Sequence, residues 1–318
     1  MSFKKTPYIP NEMNTHQPPA TKSKAYFALF LTSFLWGTTW IVGKLGIQGI
    51  HPLFYSAIRQ TIAGCCFLAF FIITKKAVLP TRKEWAYLLG MAILLFVISN
   101  AMTIWSVQYL NSGLGAILGA VFPLWVAIIE WIIGDKNRPN LLSVMGLLIG
   151  LAGVMLIFYE HLADFSSNGF VTGVLMQLTA TIAWAIGTVI MGRNTVQLGR
   201  YYSVGWQMLM SGTILLVVCG FGGLAMPLRQ IPTHVWLSIG YMVLFGSIVT
   251  FSALLYTLQH LPSTLASVYA YINPIVAVVL GHFILDENWS LTLVLGALIT
   301  LVGVYLVNSG FRRSEKKK

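Results

Sequence analysis

Charge is what this sequence lacks most. Of 318 residues only 9% are charged, and nine in all are acidic. A soluble domain carries about 25% charged residues, so this composition excludes one. With 57% hydrophobic residues and a mean hydropathy of +0.76, the chain reads as an integral membrane protein. Cysteine is also scarce. Cys65, Cys66 and Cys219 all fall in apolar runs, with no CxxC and no Cys/His ligand spacing, so they are expected to be packing residues, and no metal site is expected. No GxSxG, HExxH or Walker A sequence occurs, and no second intramembrane acid pairs with Glu130. The chain therefore lacks the convergent acids, histidines or nucleophile of an enzyme, and neither catalysis nor a cofactor is expected.

What charge there is has one sign: the net charge is +11. The basic residues sit in tails and short loops between apolar runs, not on one face, which points to topogenic charge and away from nucleic acid. Residues Met1 to Lys24 are polar and lack the apolar core of a signal peptide, so a solvated, disordered tail is expected.

A spanning helix needs about 20 apolar residues. Ten stretches qualify, approximately Ala25–Leu45, Leu53–Thr74, Trp85–Trp105, Gly113–Ile133, Leu141–Phe158, Gly169–Met191, Ser203–Ala225, Val235–Tyr256, Thr264–Leu285 and Leu291–Val307. With the N-terminus cytoplasmic, 17 of the 20 Lys and Arg residues fall on the cytoplasmic side and only Lys44 and Arg229 opposite, while Arg59 lies within a span. That asymmetry predicts both termini in the cytoplasm, residues 309–318 forming a second basic tail.

The chain repeats itself. Gly146–Leu156 matches Gly296–Leu306 at seven of eleven positions without a gap. Gly303 follows Gly153 by 150 residues, Pro274 follows Pro123 by 151, and Trp184 follows Trp36 by 148. Two halves result, 25–158 and 169–308. Five spans is an odd number, so the second half enters the membrane inverted, as in many secondary transporters. The expected fold is all-α: ten transmembrane helices as two inverted five-helix repeats.

The stretch Leu110 to Asp135 shows the repeat best. It carries Pro123 near its middle, Glu130 in its second half and small residues at Ser112, Ala116, Ala120, Gly115 and Gly119. Leu261, Ser263, Leu265, Pro274, Ile284 and Asp286 echo it. Small residues let helices approach, and a membrane tolerates the proline; Pro123 and Pro274 are therefore expected to be hinges.

Further residues carry a resemblance. The run Leu35-Trp36-Gly37-Thr38-Thr39-Trp40 closed by Lys44, Arg59 in the second span, the Leu-x-Ser and Pro pattern of spans four and nine, and Ala183-Trp184-Ala185-Ile186-Gly187-Thr188 resemble EamA-type members of the drug/metabolite transporter superfamily. The likeness runs from about Ala25 to Ser309. It implies a central cavity lined by spans 1, 3, 4, 6, 8 and 9, with spans 5 and 10 peripheral, and export of small metabolites, often amino acids or related compounds. One departure stands out: the family's Glu about thirteen residues after each proline is met by Glu287, whereas the first half has Asp135-Lys136.

Polar groups inside a bilayer are functional candidates by default. Arg59 reads either as a gate or carboxylate anchor, or as a structural group serving helix carbonyls. Glu130 reads either as a proton carrier or as a wet residue paired with Lys136 or Arg138. Trp36, Thr39, Trp40, Asn100, Trp105, Trp184, Thr188, Tyr256, Tyr269, Tyr271 and Asn273 are the expected cavity lining, while Trp85, Trp236 and Trp289 suit an interfacial belt. The expectation is a secondary transporter of the bacterial cytoplasmic membrane, its partners a small-molecule substrate and the lipid bilayer, with a homodimer left open. The alternatives are a non-transporting membrane scaffold and a lipid-modifying membrane enzyme.

Overall fold

The computed structural model describes residues 19–74, 76–133, 141–160, 168–193, 198–261, 269–288 and 290–315. Every regular element among them is helical. This follows from the apolar sequence: without water to serve backbone polar groups, the helix satisfies them within its own segment. The helices are α1 (Pro19–Gly46), α2 (Pro52–Ile73), α3 (Arg82–Ser106), α4 (Ser112–Ala120), α5 (Phe122–Ile132), α6 (Leu141–Glu160), α7 (Asn168–Arg193), α8 (Arg200–Phe221), α9 (Thr233–His260), α10 (Tyr269–Leu285) and α11 (Leu291–Glu315). Among the described residues seven stretches are long and apolar enough to cross a membrane, and Leu141–Ile157, Tyr269–Leu285 and Leu291–Val307 are apolar but shorter.

Local chemistry sets the boundaries. At α2, the His51 ring accepts from the Leu53 amide and Pro52 opens the first turn, where its missing N–H is harmless. At α3, Thr81 and Glu84 form a reciprocal capping box, the Thr81 amide donating to Glu84 Oε2 at 2.7 Å.

Pro123 and Pro274 are treated differently. The helix breaks at Val121, so Pro123 lies in the first turn of α5, while α10 runs unbroken through Pro274.

The contacts repeat with the sequence. The two most extensive interfaces are α6 on α11 and α2 on α8, each joining a helix to its repeat counterpart. A methyl on Gly303 would land on the Gly150 backbone, and one on Gly153 would come within 2.5 Å of the Thr300 amide; 150 and 153 map onto 300 and 303. Likewise Gly64 abuts Leu209 while Gly212 abuts Thr61, an exchange of partners at an offset of 148. Only a two-fold relation between the halves makes contacts swap in this way.

A second symmetric feature is invisible in the sequence. The helix widens to π geometry over Ala92–Ala101 in α3 and over Met242–Val249 in α9, the second stretch starting 150 residues after the first. Such wide turns accompany functional sites, and both face the centre of the bundle.

Two cysteines depart from expectation. Cys219 is buried, but Cys65 and Cys66 are exposed. They follow Gly64, whose face packs on α8, and so turn to the outer side of α2.

Candidate functional site

Where the halves meet, they line a partly open cavity of about 160 Å³. α1 supplies Trp36, Thr39 and Trp40; α3 supplies Ser99, Asn100, Thr103 and Ile104; α4 and α5 supply Ala116, Gly119, Ala120 and Phe122. From the second half come Gln177, Thr181 and Trp184 of α7, Met242, Gly246 and Phe251 of α9, and Tyr269, Asn273 and Pro274 of α10. Arg59 of α2 completes the wall. Both π stretches contribute, through Ser99 and Asn100 of the first and Met242 and Gly246 of the second.

Small residues in α4 have a specific use here. A methyl on Gly115 would sit 2.9 Å from the Trp40 ring, and one on Gly119 would sit 3.2 Å from it. They make room for an indole and not only for a neighbouring backbone. The Trp40 Nε1–H donates to Asn273 Oδ1 at 2.9 Å, fixing both side chains in the wall.

One end of the cavity is crossed by aromatic rings. Trp36 stands edge-on to Trp184 at 6.2 Å, to Phe251 at 5.4 Å and to Tyr269 at 5.1 Å, and Phe122 stacks on Tyr269 at 6.2 Å. The contact between Trp36 and Trp184 joins repeat counterparts, which places it on the two-fold axis.

One helical turn beyond Trp40 and Ala116, outside the lining itself, the bundle is held by an ion pair. Glu287 Oε1 lies 2.7 Å from Lys44 Nζ at the end of α1. The same carboxylate accepts from the Ser112 amide at 2.8 Å and the Ser112 hydroxyl at 2.6 Å, at the start of α4. Lys44 Nζ also donates to the Leu110 carbonyl at 3.0 Å. Asp286, with φ of 51°, makes the turn that sends Glu287 back toward the bundle. The pair thus ties α1, α4 and the end of α10 together, and the carboxylate faces the positive end of α4. Burial pushes the Glu287 carboxyl up, but Lys44 and the Ser112 hydroxyl and amide outweigh it and hold it below its ordinary value. Trp36 and Lys44 lie eight residues apart on α1, so the two layers are about 12 Å apart at 1.5 Å per residue.

Among the expected lining residues, Trp36, Thr39, Trp40, Asn100, Trp184, Tyr269 and Asn273 converge on the cavity, and four do not. Tyr271 packs in a cluster with Leu110, Leu114 and Val278; two residues from Tyr269 is about 200° around a helix, hence the wrong face. Trp105 stands edge-on to His51 in an outer hollow, because Asn100, Thr103 and Ile104 hold the inward face of α3. Thr188 donates to the Trp184 carbonyl at 2.8 Å, one turn beyond the cavity. Tyr256 stacks on His260 at 4.0 Å and packs against the cluster of Ala25 and Leu29. The side chain of Glu130, and residues Asp135, Lys136, Arg138 and Trp289, lie outside the described residues.

The pattern of the EamA-like transporter family matches the chain over residues 23–159 and again over 171–309. The chain belongs to that family. An Escherichia coli K12 protein named as the uncharacterized inner membrane transporter YedA is 32% identical over 286 residues, covering 89% of this chain and 90% of its own. The Bacillus subtilis uncharacterized transporter YoaV is 25% identical, covering 92% of this chain and 99% of its own. A solved structure of 16% identity matches 92% of this chain and 98% of its own with a TM-score of 0.65, which supports the fold. The protein is therefore a multi-pass membrane transporter of EamA type, and the two matched segments coincide with the two halves whose contacts exchange.

Proposed function

We propose that the protein is a ten-span secondary transporter that exports small metabolites, amino acids or related compounds, across the bacterial cytoplasmic membrane by alternating access. The observation that carries this reading is the cavity between two inverted halves with a separate closure at each end. Lys44, Glu287 and Ser112 guard the outer side, and the Trp36–Tyr269 layer, on the two-fold axis and so near the membrane midplane, floors the cavity on its cytoplasmic side. This orientation is the one that the Lys and Arg asymmetry predicts, with both termini inside. Rocking of the halves would open one closure while the other holds. Pro123, beside the break at Val121, is the hinge of the first half. Pro274 offers no N–H to the Ala270 carbonyl one turn earlier, so α10 bends there more easily than elsewhere.

Reconstituted into proteoliposomes, the protein is expected to show counterflow of at least one solute in a broad panel of labelled amino acids and related metabolites. Trp184→Ala removes a ring from the wall and from the aromatic layer. Counterflow should fall at least tenfold, about 1.4 kcal/mol of transition-state stabilisation, while folded protein is recovered as for the wild type. No counterflow across the panel by the wild type would refute the transport reading.

A further inference from the structure

Arg59 is the one charge in the cavity wall among the described residues, and none of them gives it a counter-charge. Its side chain is 3% exposed. One terminal nitrogen donates to Asn100 Oδ1 and the other to Ser247 Oγ at 3.4 Å, while Nε–H has no partner among the described residues. No Asp or Glu is found among the described lining residues, and the ion pair recorded among the described residues, Lys44–Glu287, belongs to the outer closure. Among the described residues the ionisable group bearing on it is the Tyr55 phenol, which is tied to Ser238 Oγ at 2.7 Å.

A guanidinium has five N–H donors, and burying one uncompensated costs several kcal/mol. A purely structural arginine is expected to have those donors taken up by helix carbonyls. Here the recorded partners are two neutral side chains, one from each π stretch, which orient the fork while leaving part of it free. The repeat sharpens the point. At the offset of 148 that relates Trp36 to Trp184 and Gly64 to Gly212, Arg59 corresponds to Gln207, so the charge is a feature of one half and not of the fold.

Resting on the transport reading of the same cavity, we propose that Arg59 receives the carboxylate of a small organic monoanion whose apolar or aromatic body lies against Trp36, Trp40 and Trp184. A carboxylate matches the guanidinium fork and is held by charge-assisted, bidentate hydrogen bonds. The indoles offer flat apolar walls. A cavity of 160 Å³ suits one ring, since an engineered protein cavity of about 150 Å³ takes up benzene. A second negative charge would meet no second cation among the described lining residues, so dicarboxylates and phosphate esters are disfavoured. A cation would be repelled. An amino group on the ligand is tolerated but not required.

The test is a tryptophan-fluorescence titration of the full-length protein in lipid nanodiscs, using phenylacetate, benzoate and phenylpyruvate. The neutral phenylacetamide and the cationic phenethylamine serve as controls. Saturable binding is expected for at least one of the acids, with both controls at least about tenfold weaker, the least that losing a charge-assisted bond implies. Arg59→Gln should weaken the acids by the same factor. Because that variant risks misfolding, Asn100→Asp is the second arm: it sets a carboxylate against the guanidinium, keeps the arginine held, and should abolish anion binding. Equal binding of acid and amide, undiminished affinity in Asn100→Asp, or no saturable binding by any of the three acids would overturn the assignment. Counterflow on the same preparations separates this from the transport reading. Solute counterflow unaffected by Asn100→Asp would remove the anion site and leave transport, whereas acid binding without counterflow would leave the site and remove transport.

Discussion

Glu287→Ala should destabilise the protein by about 3–5 kcal/mol, the usual consequence of stranding one member of a largely buried ion pair. Glu287 is 10% exposed and Lys44 25%, so water cannot fully take over. The loss is compounded because the Ser112 amide and hydroxyl lose their acceptor at the start of α4. Unfolding in detergent measures it. Glu287→Gln keeps an acceptor for Ser112 and should lose less, about 1–3 kcal/mol.

The same carboxylate gives the stability a pH dependence of defined sign. Its folded pKa lies below the ordinary value, so the unfolded state binds the proton more readily. The contribution is fully present above the ordinary glutamate value. It is lost as pH falls from there through the depressed folded value. Wild-type stability should drop across that acidic window more steeply than that of Glu287→Gln. Parallel curves would show that the pair contributes nothing.

Gly303→Leu should prevent recovery of folded protein. Its Cβ would fall on the Gly150 backbone, which has no side chain to swing away, at the centre of the α6–α11 interface. Overpacking a well-fitted site costs about 1–3 kcal/mol when side chains yield, and a helix backbone yields less, so 3 kcal/mol or more is expected. Val302, the adjacent residue, is 51% exposed. Val302→Leu should be nearly neutral. Size-exclusion profiles and thermal unfolding compare the two, and a stable Gly303→Leu would mean that these helices do not pack as described.

The internal repeat was legible in the sequence, and the structure gives it physical form. Trp36 and Trp184 were matched by position, and they touch. Gly153 and Gly303 were matched, and they exchange partners. The pair Gly64 and Gly212 lies at the same offset, but glycine is too common in apolar helices for the match to stand out. The wall residues were half legible. Residue type and depth select Asn100 and Asn273, but only the helical face separates Tyr269 from Tyr271. The π stretches shift faces locally, and no composition rule announces them. The Lys44–Glu287 pair is the feature least legible in the sequence. Its members are 243 residues apart, and each taken alone looks like a wet residue at a helix end. Matching Glu287 to the family pattern was the only signal, and it did not name a partner.

Alternating access requires the closure at Lys44 and Glu287 to open in every cycle. In a protein with Cys65, Cys66 and Cys219 replaced, Lys44→Cys and Glu287→Cys can be joined by a short reducible bifunctional thiol reagent. Counterflow of whichever solute the wild type exchanges should cease on joining and return on reduction. Counterflow continuing at the uncrosslinked rate while the two positions remain joined would contradict the account.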